Sequence, residues 1–463
     1  MATLFLIVIY LAFISLGIPD SMLGAAWPVL HVDIGAPFGA AGVLSIIAAG
    51  GTIVSSLASG RLIEKLGTGV ITLISCCLTA GALLGFAFVP SLTWLAVLAI
   101  PLGIGAGAVD SGLNHFVASH YKAHHMSWLH CFWGVGATTG PIIMAHYIGA
   151  GSWRSGYIAV ACVQGILVVI LLLTLPLWGK VSRLRQAEKE QQRQQPILAN
   201  EFHTAGGEPI VADSTTGARV LADSTAGEPV VADNIIIEGN VDAASHSKGG
   251  NANLADETNT IAANTNISPQ AIPGKGLFRL RGVTFTLFTF LFYCGAETTV
   301  GLWGASFLVG SRQVAPDVAA GWISLYFAGI TIGRFVTGFL TLRASNRTLI
   351  LLGQVLAVLG AILLVLPLPG SLLMLGLILI GIGFAPIFPG LLHETPARFG
   401  EGNSARLIGY QMATAYTGAT LLPPLFGLVA SYVQIGLFPY VVLAFIVLML
   451  YCSERVNRSI RTA

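Results

Sequence analysis

The sequence predicts an all-α integral membrane protein with twelve transmembrane helices, arranged as two six-helix bundles related by a pseudo-two-fold axis. Three observations support this fold class. The 463-residue chain is 54% hydrophobic and 10% charged, and its mean hydropathy is +0.78. Its apolar stretches, each about 20 residues long and so long enough to cross a bilayer, occur as six, a polar gap and six more. Glycines and basic residues also recur at a constant separation in the two sets.

Each predicted span is an apolar stretch bounded by Gly, Pro or charged residues. Helices without a polar face are not stable in water, so we assign all of them to the membrane. The spans cover residues 3–30, 38–60, 68–89, 92–118, 127–149, 154–178, 281–309, 319–341, 347–367, 371–394, 405–430 and 434–452. Because Met1 leads directly into apolar sequence without a basic segment, we expect a retained first span and not a cleaved signal peptide.

The basic residues predict the orientation of the chain. One set of connections contains only Arg154 and Arg312. The other set contains Arg61, Lys65, Lys122, Lys180, Arg183, Arg185, Arg279, Arg281, Arg343, Arg347, Arg398, Arg406, Arg455 and Arg458. Since short cytoplasmic loops carry the excess of positive charge, we predict that both termini and the central loop are cytoplasmic. We expect a monomer in the plasma membrane.

A polar segment from Gln186 to Pro273 separates the two sets of spans. It contains no Trp or Tyr and repeats a short pattern, VADST at 211–215, LADST at 221–225 and VADN at 231–234. Such a composition cannot bury enough apolar surface to offset the entropy of ordering. We predict a disordered linker, with a regulatory role as the alternative. The predicted domains are the first bundle at 1–180, the linker at 181–278, the second bundle at 279–452 and a cytoplasmic tail at 453–463.

Three acidic residues, Asp20, Asp110 and Glu297, lie inside apolar spans. A charge at membrane depth costs about 2.5 to 3.5 kcal/mol on insertion scales, so such residues usually face a polar cavity and handle ions or substrate. Loss of water disfavours the charged form of a carboxylate. Asp20 or Asp110 could therefore bind a proton in a closed cavity and release it to the cytosol. The acids predict a transporter in which Asp20 and Asp110 couple transport to protons.

Other polar and aromatic residues within the spans are candidates for substrate binding. Asn114 follows Asp110 by four residues and so lies on the same helix face, where its amide could bond a hydroxyl or hold two helices together. Small polar ligands are typically bound by a few polar groups and an aromatic face. The candidates are Asn114, Glu297, His130, Gln354, Gln411, Trp27, Trp133, Tyr293 and Trp303. Packing is the alternative for each aromatic residue and for His130.

Several functions are excluded by the composition and the motifs. The net charge of +2, without a basic stripe, argues against a nucleic-acid partner. We find no nucleophile beside a base, no phosphate loop and no metal-ligand set, so we predict no catalytic residues, no cofactor and no enzyme. His120, His124 and His125 have no Cys or acid nearby to complete a metal site. The six cysteines are expected to be reduced packing residues, and Arg334 is expected to anchor carbonyls or reach the membrane surface.

The two halves align at one constant separation. Gly60 aligns with Gly338, Lys65 with Arg343, Gly103 with Gly381, His115 with His393 and Gly140 with Gly418. This internal repeat indicates two parallel six-helix units. The segment from Gly60 through Glu64 and Lys65 to Gly67 resembles the loop signature G-x-x-x-D-[RK]-x-G of the major facilitator superfamily. We interpret Gly60 as a close helix contact, and Glu64, Lys65 and Arg343 as a cytoplasmic gate; a solvated turn is the alternative.

A narrower resemblance involves four segments: GIGAGAVD at 103–110, MSWLHCFWGVG at 126–136, YCGAE at 293–297 and GIGFAPIFPG at 381–390. They are similar to the fucose/glucose:proton symporter family, and the resemblance covers the chain outside the central loop. It implies sugar transport coupled to proton entry. The family's acid in span 4 corresponds by motif to Asp110, where Glu is more common, and its acid in span 1 corresponds by position to Asp20.

The expected function is proton-coupled import of a small neutral sugar by alternating access between the two bundles. Three alternatives stay open at this point. A proton-driven exporter would have a more apolar cavity, and a sodium symporter would use Asp110 together with backbone carbonyls. A membrane sensor that transports nothing would tolerate the loss of all three acids.

Overall fold

The computed structural model of the chain describes residues 2–120, 123–204, 274–278 and 280–461. The first half contains six long helices at the predicted positions. They are α1 (Ala2–Asp33), α2 (Ala40–Leu66), α3 (Thr68–Phe86), α4 (Leu92–His120), α5 (Ala123–Gly149) and α6 (Trp153–Thr204).

The second half repeats this arrangement. It contains α7 (Val283–Arg312), α8 (Pro316–Leu340), α9 (Asn346–Val365), α10 (Gly370–Phe384), α11 (Glu401–Tyr432) and α12 (Phe438–Arg461). A seven-residue helix, Ile387–His393, continues α10 after a break. The break lies at Pro386, which has no N–H to donate to the preceding turn. The sequence predicted one uninterrupted span here.

Eleven helices within the described residues are long and apolar enough to cross a membrane. The predicted span that falls short is α5. It carries His124, His125, His130 and His146, which lower its hydropathy. The all-helical fold and the position of the polar gap agree with the prediction, and α5 occupies the place predicted for the fifth span.

Two helices extend beyond the predicted domain limits. The linker was expected from residue 181, but α6 continues to Thr204 because this stretch is rich in Gln, Glu, Arg and Ala, all good helix formers. The tail was expected from residue 453, but α12 continues to Arg461. Val456 is buried there, and Arg398 donates to Asn457 at 2.9 Å. The rest of the predicted linker, residues 205–273, lies outside the described residues.

The two halves pack by the same rules. In the first half α1 packs on α5 and α2 on α4, and in the second half α7 packs on α11 and α8 on α10. We call the side with the α2–α3, α8–α9 and α10–α11 connections the basic face, and the other side the opposite face. Between the halves, α1 packs on α7, α2 on α11, and α5 on α8. These three seams enclose the site described below.

Close contacts join the halves near the opposite face. A side chain at Gly24 would overlap the carbonyl of Gly301, and one at Gly42 would meet the Cα of Pro424 at 2.8 Å. The Phe38 ring, between α1 and α2, lies 5.0 Å from that of Trp303 on α7. Backbone therefore meets backbone at this face, and the halves are closed there.

Candidate functional site

Asp20 lies in the middle of α1 and yet is exposed, although its neighbours Ser21 and Met22 are buried. One carboxylate oxygen accepts a hydrogen bond from the indole Nε1 of Trp133 on α5, at 2.9 Å. Because α1 is packed on both halves of the bundle, the exposed carboxylate faces an internal space between the halves. We call this space between the halves the cavity.

Asp110 on α4 faces the same space. Asn114 donates its side-chain N–H to the Asp110 carboxylate at 2.9 Å, so the pair shares one helix face, as its spacing predicted. Asp110 interacts electrostatically with Asp20 and with Tyr416 on α11. The buried carbonyl oxygen of Asn114 has no hydrogen-bond partner in the described part of the chain. The Asn114 amide bonds within α4 and does not join two helices.

Glu297 and Arg334 form an ion pair in the second half, with Nη2 of Arg334 3.3 Å from Oε1 of Glu297. The arginine was expected to anchor carbonyls or reach the membrane surface, and this expectation is wrong. Only 18% of the Arg334 side chain and 14% of the Glu297 side chain are exposed. Tyr326 holds the Glu297 backbone by donating to its carbonyl at 3.0 Å. The pair neutralises two charges that would otherwise be isolated at membrane depth.

Trp133 joins the acidic cluster of the first half to the ion pair of the second. The guanidinium of Arg334 lies over the indole ring, 5.8 Å from its centroid, while the indole N–H bonds Asp20. His130 is three residues earlier and so on the same side of α5. It is exposed, and its ring lies edge-on to Phe13 at 6.0 Å. These contacts connect Asp20, Asp110, Asn114, His130, Trp133 and Glu297 through Trp133 and Arg334.

Other predicted binding residues are fully buried and hydrogen-bonded to protein groups. Trp303 is fully buried and donates to the carbonyl of Pro423 at 2.8 Å, and Trp27 is bonded in the same way to Phe38. Gln411 is fully buried and bonds Thr395. All three side chains are enclosed by protein, and each indole or amide has a backbone or hydroxyl partner.

Two further candidates are also fully buried. Tyr293 donates its hydroxyl to the Phe384 carbonyl at 3.2 Å, beside the break in α10. Gln354 on α9 is fully buried, and neither polar atom of its side chain has a hydrogen-bond partner in the described residues. Tyr293 thus joins α7 to the end of α10. Gln354 lies on α9, which packs on α10 and α12.

The predicted gate residues are exposed at the basic face. Glu64, Lys65 and Arg343 form no ion pair within the part of the chain that the structure describes. Gly60 was interpreted as a close helix contact, but a side chain there would meet no atom within 4 Å. The interpretation of Gly60 is wrong for this conformation, since the halves are closed at the other end of the bundle.

The sequence analysis did not assign a role in the site to four residues at the site or beside it. Arg334 carried the same signal as the three acids, an ionisable residue inside an apolar span. Ser15 and Gln164 join α1 to α6 by hydrogen bonds of 2.6 and 2.7 Å, and a Gln within an apolar span could have indicated this. Tyr416 gave no signal. The six cysteines are unbonded, and the described residues hold no cluster able to bind a metal ion; the side chains of His120, His124 and His125 lie outside them.

Comparison with known proteins agrees with this architecture. The sequence model of the Major Facilitator Superfamily matches residues 9–232. Bypass of stop codon protein 6 from Saccharomyces cerevisiae is 22% identical over 347 residues, covering 72% of this chain and 56% of that protein. The chain thus matches little more than half the length of this curated relative.

Solved structures match almost the whole chain. A mutant of the nucleoside transporter NupG has a TM-score of 0.63 at 13% identity, covering 98% of both chains. The fold is that of the major facilitator superfamily. The xylose transporter XylE from E. coli, in a partially occluded inward open conformation, has a TM-score of 0.59 at 13% identity and covers 96% of this chain and 97% of that one. The superfamily match and these neighbours agree with the fold that the sequence predicted. Transport itself and the fucose/glucose symporter resemblance stay predictions.

Proposed function

We propose that this protein is a secondary active transporter that carries a small neutral sugar together with a proton. The observation that carries the proposal is the pair of acids Asp20 and Asp110, which face the space between the halves. Asp20 forms no ion pair in the described residues. A carboxylate with no cation beside it, in a largely apolar bundle, is suited to bind and release a proton.

The charge balance of the site favours a neutral substrate. The one arginine at the site, Arg334, is already paired with Glu297, so it is not free to bind an anionic solute. The free carbonyl oxygen of Asn114 and the second oxygens of Asp20 and Asp110 are acceptors for hydroxyl groups. The Trp133 ring supplies an apolar face. Several hydroxyl donors on a small ring with an apolar C–H face describe a sugar.

The orientation follows from the basic residues, and is part of the proposal. If the basic face is cytoplasmic, the conformation closed at the opposite face would be the one open to the cytosol. A proton bound at Asp20 or Asp110 would then leave together with the sugar. We propose a monomer in the plasma membrane, because each chain contains both six-helix halves and a complete cavity between them.

Uptake by the purified protein in proteoliposomes tests the function. Labelled L-fucose, D-glucose and D-xylose are offered under a proton gradient or a sodium gradient, imposed separately. We expect at least one of these sugars to accumulate under the proton gradient only. Accumulation driven by sodium alone would support a sodium symporter. A proton gradient that drives solutes out would support an exporter, and the absence of any movement across a panel of small solutes would favour a sensor.

A further inference from the structure

The indole of Trp133 contacts two groups of opposite charge that belong to different halves. Its Nε1 donates to Asp20 at 2.9 Å, and its ring face lies 5.8 Å from the Arg334 guanidinium carbon. Trp133 is held firmly, because the backbone of α5 at this position meets α1 at Gly17 and the next residue, Gly134, meets Thr331 of α8. The indole thus lies where α1, α5 and α8 meet.

The arrangement of charges around Trp133 is uneven. The titratable groups in this part of the bundle are Asp110 on α4, His130 and Cys131 on α5, Tyr293 and Glu297 on α7, and Arg334 on α8. Among these six groups and Asp20, all within the described residues, the one permanent cation is Arg334. Arg334 pairs with Glu297 and not with Asp20, although its guanidinium and the Asp20 carboxylate both contact the same indole. Direct pairing with a guanidinium would hold Asp20 in its charged form and prevent proton uptake.

We infer that Trp133 is a positioning residue that separates Arg334 from Asp20 and so keeps Asp20 free to bind a proton. The inference deepens the proposed function and rests on it for the role of Asp20. The two parts of the indole act differently. The N–H favours the charged carboxylate modestly, as a neutral donor, while the ring prevents the much stronger charge–charge contact. Removing the N–H and removing the ring should therefore change Asp20 in opposite directions.

The test is a pH titration of the substrate-free protein in lipid by infrared difference spectroscopy. The carboxyl band that disappears in Asp20→Asn identifies Asp20. Trp133→Phe keeps a ring below Arg334 and loses the N–H, so the midpoint of the Asp20 band should move to higher pH by about one unit. Trp133→Ala removes the ring, and the midpoint should move to lower pH by about one to three units as Arg334 reaches the carboxylate.

A rescue variant assigns the second shift to Arg334. The triple variant that combines Trp133→Ala with Arg334→Gln and Glu297→Gln has no guanidinium beside Asp20. The midpoint of its Asp20 band should therefore lie above the wild-type value. Trp128→Phe is the control, since Trp128 is on the same helix but its ring lies 6.0 Å from Phe335; it should leave the midpoint unchanged. If Trp133→Ala does not fold, Trp133→Leu carries the same expectation.

A shift to higher pH in Trp133→Ala, or a rescue variant that keeps the low midpoint, would overturn the inference, because the indole would then act only as a donor. These outcomes differ from a failure of the proposed function. The titration needs no substrate, so a protein that shows the opposed shifts but accumulates no sugar would contradict only the transport proposal. A protein that accumulates sugar with protons while Trp133→Ala titrates as the wild type would contradict only the inference.

Discussion

At the opposite face the two halves touch through backbone and aromatic rings, whereas at the basic face the recognisable charged residues are exposed. The Gly24–Gly301 and Gly42–Pro424 contacts leave no room for a side chain. Glu64, Lys65 and Arg343 have no ion-pair partner in the described ranges. Close contacts at small residues therefore keep the opposite face closed, and such residues do not stand out in the sequence. We expect the charged motif to act when the basic face closes.

The cations of the opposite face serve each half separately. Arg154 of α6 pairs with Asp33 at the end of α1, and Trp153 donates to the same carboxylate at 3.2 Å. Arg312 of α7 donates to three carbonyls at the end of α9, the closest at 2.7 Å. These bonds tie helices within one half, so they can persist while the halves move as rigid bodies. The glycine and aromatic contacts that join the halves at the opposite face must separate.

The largest effect on transport is expected at the acids that lie between the two faces. Asp110→Asn keeps the shape of the side chain and its contact with Asn114 but removes the titratable charge. We expect the variant to exchange substrate across the membrane and to lose all accumulation against a gradient, because the faces could then open in turn without a proton. Counterflow and proton-driven uptake, measured in the same vesicles, check this.

A matched variant makes the result specific. Asp33→Asn removes an acid at the end of α1 that is bonded to Arg154, outside the cavity, and should still concentrate substrate. Normal accumulation by Asp110→Asn under a proton gradient would contradict the assigned role of Asp110 and make another coupling group the better assignment.

Sequence reasoning found the acids because a carboxylate in an apolar span is rare and costly. It also found the helices, since an apolar stretch of membrane length has few alternatives. It did not separate cavity residues from packing residues. Trp133 and Trp303 look alike in sequence, yet the first lies between two charged groups and the second is sealed against Pro423. That difference depends on the rotation and tilt of α5 and α7, which are set by contacts far apart in the chain.

The glycine seal gives the second prediction. In Gly24→Ala the new methyl group would overlap the Gly301 carbonyl, which should cost about 1 to 3 kcal/mol in the closed state. The fraction of molecules open at the opposite face should rise about ten-fold or more. A single-cysteine reporter, Ser306→Cys in a background without the native cysteines, should react correspondingly faster with a membrane-impermeant maleimide, since Ser306 is now 2% exposed.

Gly50→Ala is the control for this experiment. A side chain at Gly50 on α2 would meet no atom within 4 Å, so labelling of the reporter should stay at the starting rate. Equal labelling rates in Gly24→Ala and the parent would show that contacts other than the Gly24–Gly301 backbone contact keep the opposite face closed.

The smallest effect is expected at the basic face. Glu64→Gln and Lys65→Gln should each change the unfolding free energy by less than about 0.5 kcal/mol, because both side chains are exposed and form no ion pair with the residues that the structure describes. If they pair when the basic face closes, the rate of proton-driven uptake should fall about two- to five-fold, the range of an exposed ion pair. Thermal unfolding and initial uptake rates in the same preparations measure both quantities.

Arg61→Gln separates a gate from a general charge effect, since Arg61 is equally exposed in the same turn but does not occupy one of the motif positions. It should leave uptake at the wild-type rate. A reduction as large as that in Lys65→Gln would show that the turn contributes only its net positive charge. A loss of stability in either motif variant would mean that these residues support the conformation seen here, and the basic face would then be held by charge just as the opposite face is held by glycine.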